Sequence, residues 1–403
     1  MTQKTNVRAA DIRGLSRLAI DATIGLTRLV ETMHHNIVRV PGPLGKPTEE
    51  PMRGISGLVY RTIQGTTRLV GGGIDALLAQ LTPLLDREPA ASSGTREAVL
   101  AALNGVLGDH LAASANPLAI PMQLRRDGQP LVISANDLAA HLPQTGGKLL
   151  LLVHGLCMND LQWQRNGHDH GAALAAATGA TPLYLYYNSG MHVSSNGRAL
   201  ADLLETLLQA WPVPVEQLAI IGHSMGGLVA RSACHYGGLA GQTWPRHLRQ
   251  MIFLGTPHDG APLERGGNWV DLLLGLSPYT AALARLGKIR SAGITDLRHG
   301  SILDEDWENR DRFAHGRRSR FVPLPEGVRC CAIGVVMAKA AGSPGEGLLG
   351  DGLVPLPSAL GGSRDPSRRL RIPESQKWVG YGMNHLDLLD SADVFGQLLK
   401  WLR

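Results

Sequence analysis

Residues 218–227 read LAIIGHSMGG and decide the predicted fold. The apolar run at 218–221 is typical of a strand buried on both faces of a parallel sheet. A tight turn with the spacing Gly-x-Ser-x-Gly follows, and the residues after it have helical periodicity. A serine at such a strand-turn-helix elbow has a strained backbone, which is why glycines are needed close to it. The first amides of the following helix can bind a negatively charged oxygen near Ser224.

The composition is that of a globular protein, because 44% of the 403 residues are hydrophobic and 18% are charged. The net charge of +5 permits contact with an anionic surface, whereas 4% aromatic residues argue against a nucleic-acid partner. The four cysteines lack CxxC spacing, so neither a disulfide framework nor a zinc site is predicted. We find no secretory signal and no apolar run of about 18 residues. A cytoplasmic protein, or one bound peripherally to a membrane, is therefore expected.

Residues 1–116 are predicted to form a helical region apart from the rest of the chain. The segments 12–30 and 52–70 align at an offset of 40 residues, which indicates a duplicated amphipathic helix. A further helix is predicted from Thr95 to about Ala113. Two interpretations remain open for the duplicated segments. They form a hairpin that packs on the other domain or self-associates, or, because arginines recur beside leucine and isoleucine, they lie on a membrane surface.

Residues 117–403 alternate between strand and helix patterns, which predicts an α/β domain with a mostly parallel sheet and helices on both faces. A hairpin is expected to turn at Asp127-Gly128. Between two predicted strands, about residues 258–327 are too long for a plain loop. This stretch contains two apolar segments that can form helices, so it is interpreted as a lid, with an insertion of no functional role as the alternative. The strands are predicted at 148–155, 181–190, 218–221, 250–257, 328–336 and 376–382.

A serine hydroxyl needs a base to become a nucleophile, and the base needs a carboxylate that orients it. In the fold with this elbow, the acid and then the histidine follow the serine along the chain. His385 comes directly after the last predicted strand and is the expected base. Asp351 is favoured as the acid because flanking glycines free its backbone and an apolar segment follows. The acidic residues considered for this role are Glu346, Asp351, Asp365 and Glu374.

Two backbone amides should stabilise the tetrahedral oxyanion. One is the amide of Met225, directly after the serine. The other is expected from the loop after the strand at 148–155, with the amide of Leu156 preferred and that of Cys157 as the neighbouring option. The Cys157 side chain is interpreted as a small buried hydrophobe rather than a nucleophile. The run at 168–170, His-Asp-His, is interpreted as a solvated helix start, and no metal or other cofactor is predicted.

Five ordered motifs give the chain a resemblance to a known family. The resemblance covers about residues 148–400 and is to bacterial α/β-hydrolases of the lipase and esterase group, nearest to those related to the inositol deacylase of GPI anchors. It implies an α/β-hydrolase fold with Ser224 as nucleophile, Asp351 as acid and His385 as base, and with oxyanion amides from Leu156 and Met225. The motifs are HGLCMNDLQW (154–163), GHSMGGLVARSA (222–233), FLGTPHDGAPLER (253–265), GDGLVP (350–355) and MNHLDLL (383–389).

The expected activity is hydrolysis of a carboxylic ester through an acyl-Ser224 intermediate. The leucine-rich segment of the proposed lid favours a small-molecule or lipid ester with an apolar acyl group as the substrate. Acyl transfer, thioester hydrolysis or amide hydrolysis on the same three residues are alternatives. An alternative of another class is a catalytically inert, membrane-associated binding protein. The sequence does not indicate an oligomeric state.

Overall fold

The chain forms two compact units in the computed structural model, one of residues 1–96 and 113–119 and one of residues 97–112 and 120–403. In the first unit the Asn116 side-chain amide donates a hydrogen bond of 3.1 Å to the carbonyl oxygen of Gly14. The duplicated segments at 12–30 and 52–70 lie outside the described residues, apart from three positions of the first. The domain boundary between residues 116 and 117 stays a prediction. The structure describes residues 13, 14, 17, 94–142, 145–261, 291–309, 319–339 and 350–403.

An eight-stranded sheet runs through the second unit in the order β10-β9-β8-β7-β3-β6-β1-β2. The six strands from β10 to β6 pair in parallel, whereas β1 is antiparallel to both of its neighbours. The mostly parallel sheet predicted from the strand and helix alternation is thereby confirmed. Its strands are β1 Gln123–Arg126, β2 Gln129–Pro130, β3 Lys148–Val153, β6 Thr181–Tyr186, β7 Gln217–His223, β8 Leu248–Leu254, β9 Arg329–Val336 and β10 Lys377–Tyr381.

The described helices connect these strands. None of the described helices combines the length and the apolar character that crossing a bilayer requires. The segments 269–276 and 279–289, which we predicted to be helical parts of a lid, lie outside the described residues. The helices are α1 Gly94–Ala113, α2 Ala135–His141, α3 His170–Thr178, α4 Val193–Ala210, α5 Met225–Leu239, α6 Ala292–His299, α7 Leu356–Ala359 and α8 Ala392–Leu402.

The core follows from the strand sequences. Residues 149–153 of β3 are all apolar and at most 1% exposed. A continuous apolar run of this kind suits a central parallel strand, because helices cover both faces of the sheet and no alternate position meets water. The elbow strand β7 lies directly beside β3, so its C-terminal end is at the middle of the sheet.

Helix α1 is joined to the sheet by a buried ionic cluster. The Arg125 guanidinium lies 2.8 Å from a carboxylate oxygen of Glu97 in α1 and 3.3 Å from one of Asp160. The same guanidinium lies over the ring of Tyr186, at 3.3 Å from its centroid. Burial raises the pKa of the Asp160 carboxyl to about 6, although the charge of Arg125 opposes this shift. Residues 97–112 of α1 thus pack with the sheet. No local sequence pattern predicts the ionic cluster that joins them.

Two local elements differ from the sequence predictions. A short hairpin of β4 Gln164–Arg165 and β5 His168–Asp169 precedes α3 and was not predicted. Residues 385–402 have the apolar spacing of one amphipathic helix, which predicts a last helix that starts at His385, but this helix begins at Ala392. The Asn384 side chain accepts a hydrogen bond of 2.9 Å from the Leu386 amide, and the intervening residues form a turn and the short 3₁₀ helix Asp387–Leu389 instead of α-helix.

Candidate active site

Ser224 lies at the junction of β7 and α5 with backbone angles φ 53° and ψ −123°. Residues other than glycine rarely adopt a positive φ, so the elbow is strained and close packing must hold it. A Cβ atom on Gly222 would lie 2.6 Å from the Cα atom of Gly227, and one on Gly226 would lie 2.2 Å from the carbonyl oxygen of Val153. The glycines of the predicted motif are therefore required by direct backbone contact.

Asp351 and His385 form a buried pair. His385 Nδ1 and Asp351 Oδ2 are 2.6 Å apart, and the two residues are 3% and 2% exposed. The other carboxylate oxygen of Asp351 accepts hydrogen bonds from the amides of Leu353 at 3.0 Å and Val354 at 2.8 Å. Because this carboxylate accepts all three bonds, the neutral form of the imidazole carries its proton on Nδ1 and has a lone pair on Nε2. Nε2 is buried and has no hydrogen-bond partner among the described residues.

The other acidic candidates lie in different surroundings. Asp365 accepts hydrogen bonds from the amide and hydroxyl of Ser367 and caps a short 3₁₀ turn. Glu374 pairs with the Lys377 ammonium group at 2.6 Å. Glu346 lies outside the described residues. Of the acidic residues considered, the structure places Asp351 against the imidazole.

Ser224 and His385 line the same cavity, yet no hydrogen bond joins the Ser224 hydroxyl to His385 Nε2 in this structure. Catalytic hydrogen bonds are often long in unliganded enzymes and shorten when substrate binds. The structure thus brings the three residues of the predicted triad to one place, with one of its two expected hydrogen bonds formed. The described residues that line the cavity are Gly155, Leu156, Met158, His223, Ser224, Ala261, Leu297, Leu353, Val354, His385 and Leu386.

Of the two residues predicted to supply oxyanion amides, one lines this cavity and the other directly follows Ser224 in the chain. Met225 begins α5 and Leu156 lines the cavity wall. The alternative donor, the Cys157 amide, is already bound, because it donates a hydrogen bond of 3.0 Å to the hydroxyl of Ser189. Neither Leu156 nor Met225 donates its amide hydrogen to another group in the part of the chain that the structure describes. Of the two loop amides considered, that of Leu156 is therefore the one available to a ligand.

Residues 144–323 match the family of PGAP1-like alpha/beta domains. This match and the observed sheet identify the fold as that of the α/β-hydrolases, as the sequence predicted. No curated protein matches the sequence.

Several solved structures are similar to this chain over most of their own length. The mature lipase BlEst2 of Bacillus licheniformis is 19% identical, with 63% of this chain and 91% of that chain covered and a TM-score of 0.41. Aspergillus fumigatus lipase B is 14% identical, with 81% and 68% covered and a TM-score of 0.39. An esterase of Pyrobaculum calidifontis is 13% identical, with 64% and 78% covered and a TM-score of 0.37.

His223, next to the serine, supports the imidazole of His385. Its ring is 4.7 Å from that of His385, and its Nε2 lies 3.2 Å from the His385 carbonyl oxygen. Burial, with a smaller contribution from His385, holds the pKa of His223 well below its ordinary value. The ring is therefore neutral, and because a carbonyl can only accept, its proton lies on Nε2.

His154 fixes the loop that carries Leu156. Its Nδ1 lies 2.9 Å from the carbonyl oxygen of Gly155, and its ring stacks on that of Tyr187 at 4.3 Å between centroids. The Tyr187 hydroxyl donates a hydrogen bond of 2.8 Å to the His154 carbonyl oxygen. Burial lowers the pKa of His154 to about 4, so it is neutral near pH 7. The carbonyl groups before Leu156 are thus held by two buried rings.

His170 holds the loop that follows His385. The interpretation of the segment 168–170 as a solvated helix start is wrong for this residue, which is fully buried. Its Nε2 lies 3.1 Å from the Leu388 carbonyl oxygen, and its Nδ1 lies 2.7 Å from Nε2 of His168. Burial, with a smaller contribution from His168, lowers the pKa of His170 to about 4. The neutral ring therefore donates to Leu388 and accepts from His168.

The unpredicted β4–β5 hairpin holds the same loop at a second point. Between its two strands, the Asn166 side-chain amide donates a hydrogen bond of 2.6 Å to the Asp390 carboxylate. Arg165 Nε lies 3.4 Å from the same carboxylate oxygen. Sequence reasoning did not assign roles to His154 or His223, although their positions beside Gly155 and Ser224 are a signal that could have found them. The hairpin contacts have no comparable signal, because they join residues more than 200 positions apart.

Proposed function

We propose that this chain is a serine hydrolase that cleaves carboxylic esters through an acyl-Ser224 intermediate. The observation that carries the proposal is the buried Asp351–His385 pair, because His385 Nε2 has no hydrogen-bond partner among the described residues and His385 lines the same cavity as the strained Ser224. A nucleophile, a base and a carboxylate that orients the base are the three parts that acyl transfer on serine requires.

The mechanism follows from these positions. His385 Nε2 takes the proton of the Ser224 hydroxyl as the serine oxygen attacks the ester carbonyl carbon. The negative charge on the carbonyl oxygen is stabilised by the amides of Leu156 and Met225. The imidazolium, stabilised by Asp351, then gives its proton to the departing alcohol. Water then attacks the acyl carbon and loses a proton to the same nitrogen. The bond to the serine oxygen breaks, the acid leaves, and the imidazolium returns the proton to Ser224.

The cavity favours an apolar acyl group. Apart from Ser224 and the two histidines, its described lining consists of glycine, alanine, methionine, leucine and valine. A charged acyl group there would lose its hydration without gaining an ionic partner from these residues. The substrate class we propose is therefore an ester of an aliphatic acid, a small molecule or a lipid.

Covalent labelling tests this proposal. Incubation with a fluorophosphonate is expected to add the mass of one probe to the intact protein and to place it on the peptide that contains Ser224. Protein unfolded in urea before incubation should not react, because the serine depends on His385 for activation. Esters of p-nitrophenol with acyl chains of increasing length then measure turnover and preference. A folded protein that neither reacts with the probe nor cleaves any of these esters would refute the proposal and favour the inert binding protein.

Replacement of Asp351 by asparagine is expected to lower kcat by about 10⁴-fold with little change in KM. An amide nitrogen facing His385 Nδ1 reverses the hydrogen bond, so the imidazole proton moves to Nε2 and the ring can no longer accept the serine proton. Steady-state hydrolysis of p-nitrophenyl butyrate measures the effect. Asp365→Asn is the matched control, because Asp365 lies in the same stretch of chain and caps a turn instead of contacting the imidazole. Equal activities of the two variants would contradict the role of Asp351.

A further inference from the structure

The loop that carries Leu156 contains a second strained residue. Cys157 has a φ of 59°, which side chains other than glycine rarely adopt. It is 1% exposed, and burial raises the pKa of its thiol to about 12, so it remains a neutral group. A strained conformation persists only where the surroundings enforce it. The groups that touch Cys157 are therefore the groups that set the backbone direction at Leu156.

Helix α1 supplies one of these contacts. A Cβ atom on Gly105 would lie 2.2 Å from the Cys157 sulfur and 2.9 Å from its Cα and N atoms. Only glycine allows the helix to come this close to the loop. The Ser291 hydroxyl, just before α6, donates a hydrogen bond of 2.6 Å to the Gly105 carbonyl oxygen. The hydrogen bond from Ser291 thus also fixes the turn of α1 that packs against Cys157.

Ser189 supplies a second contact. Its hydroxyl oxygen, 1% exposed, accepts the hydrogen bond of the Cys157 amide at 3.0 Å. The neighbouring Asn188 anchors this serine, because its side-chain amide donates to the Gly108 carbonyl oxygen at 2.9 Å. The Asn188 carbonyl oxygen in turn accepts a bond of 3.0 Å from the Asn196 side chain in α4. The acceptor for the Cys157 amide is therefore held by both α1 and α4.

We propose that Ser189 is a positioning residue for ester hydrolysis. Ser189 accepts the hydrogen bond of the Cys157 amide, while Gly105 packs closely against Cys157. These two contacts hold the strained backbone, so that the Leu156 amide faces the oxyanion. This inference rests on the proposed function, and it assigns a role to a serine outside the triad. Ser189 does not touch the substrate, so its effect on the reaction passes through the loop.

The test compares Ser189→Ala with Ser194→Ala. Both serines are 1% exposed, and each accepts one hydrogen bond, that of Ser194 coming from the indole of Trp307 at 2.9 Å. With p-nitrophenyl butyrate, Ser189→Ala is expected to lower kcat by about 30-fold and to leave KM within about twofold. This loss is smaller than the 10²–10³-fold effect of deleting an oxyanion donor, because the Leu156 amide is displaced and not removed. Ser194→Ala should keep the kcat of the wild type even where it lowers the melting temperature.

A second readout separates positioning from folding. A trifluoromethyl ketone analogue of the substrate forms an adduct that carries an oxyanion, so its inhibition constant should rise by the same factor as kcat falls. Active-site titration with the fluorophosphonate corrects kcat for any inactive fraction. If Ser189→Ala does not fold, Ser189→Cys keeps the shape with a weaker acceptor and should show an intermediate kcat.

Two results would overturn the role of Ser189. One is a kcat within twofold of wild type in the folded variant, and the other is an equal loss of kcat in Ser194→Ala. Both are distinct from failure of the proposed function, in which the wild-type protein itself would neither react with the probe nor cleave the ester.

Discussion

Replacement of Ser224 by alanine is expected to lower kcat for p-nitrophenyl butyrate by about 10⁶-fold, the order seen when a triad serine is removed from a serine hydrolase. Alanine keeps the Cβ atom and the strained elbow, but it offers no oxygen for the acyl group. The remaining route is direct attack by water on the bound ester, without a covalent intermediate. This route is accelerated only by substrate binding and by the oxyanion amides. The loss should therefore appear in kcat, whereas KM changes little.

The fold should survive this substitution. The Ser224 hydroxyl makes no hydrogen bond with another described residue, so its removal leaves no buried partner unsatisfied. The melting temperature is expected to stay within a few degrees of that of the wild type. Ser224→Ala purified by the same procedure also measures any contaminating host esterase. If the folded variant kept more than about 1% of the wild-type kcat, Ser224 would not be the nucleophile.

The position of the site could be predicted because it depends on local patterns and on one rule of topology. Ten consecutive residues, 218–227, contain the whole sequence pattern of the elbow at Ser224. The strands β3, β7, β8 and β9 are short apolar runs. Parallel strands direct their carboxyl ends to the same edge of a sheet. The residues that follow β7, β9 and β10 must therefore converge there. That rule selects the elbow serine and the histidine after β10. It does not select a single acid, because the long segment between β9 and β10 contains several acidic residues that were candidates for this role.

The supports of the site could not be predicted, because they join distant parts of the chain. The segment 168–170 has the composition of a helix start, and nothing near it indicates that His170 bonds to the Leu388 carbonyl oxygen, 218 residues away. The contact between Cys157 and Ser189 likewise depends on the lengths of two loops. The apolar spacing after His385 continues that of α8, yet the Asn384 side chain competes for the backbone amides and delays the helix. Side-chain capping of this kind overrides periodicity at just the residues that present the base.

The stability of the protein is expected to fall steeply as the pH is lowered from 7.5 to 5. Burial is the main cause that lowers the pKa of four fully or almost fully buried histidines: that of His154 and His170 to about 4, and that of His223 and His258 well below the ordinary value of 6.5. In the unfolded chain each titrates near 6.5. Between these values the unfolded state binds more protons than the folded state, so the stability that these histidines contribute is present above pH 6.5 and is lost as the pH falls below it.

The magnitude is large compared with the total stability. Each histidine costs about 1.4 kcal/mol for every pH unit below 6.5, so at pH 5 the four together lower the free energy of unfolding by roughly 8 kcal/mol. A typical domain has only 5–15 kcal/mol. Two buried carboxyl groups act in the opposite sense, because burial raises the pKa of Asp160 to about 6 and also raises that of Asp296. Between pH 6 and 5 Asp160 regains only about 1 kcal/mol, so the net effect remains destabilising.

Urea unfolding at pH 5, 6, 7 and 8 measures this dependence. The free energy of unfolding should be nearly constant above pH 7 and should decrease with a slope that approaches about three protons near pH 5, about four from the histidines less about one from Asp160. His170→Gln is expected to reduce that slope by about one proton, because the amide cannot take up a proton on unfolding. His141→Gln is the control, since His141 is exposed and its replacement should leave the slope unchanged. A free energy of unfolding that stays constant or rises between pH 7 and 5 would show that these histidines are not held neutral. The assignment of the His223 proton to Nε2, from which it donates to the His385 carbonyl oxygen, would then be unsupported.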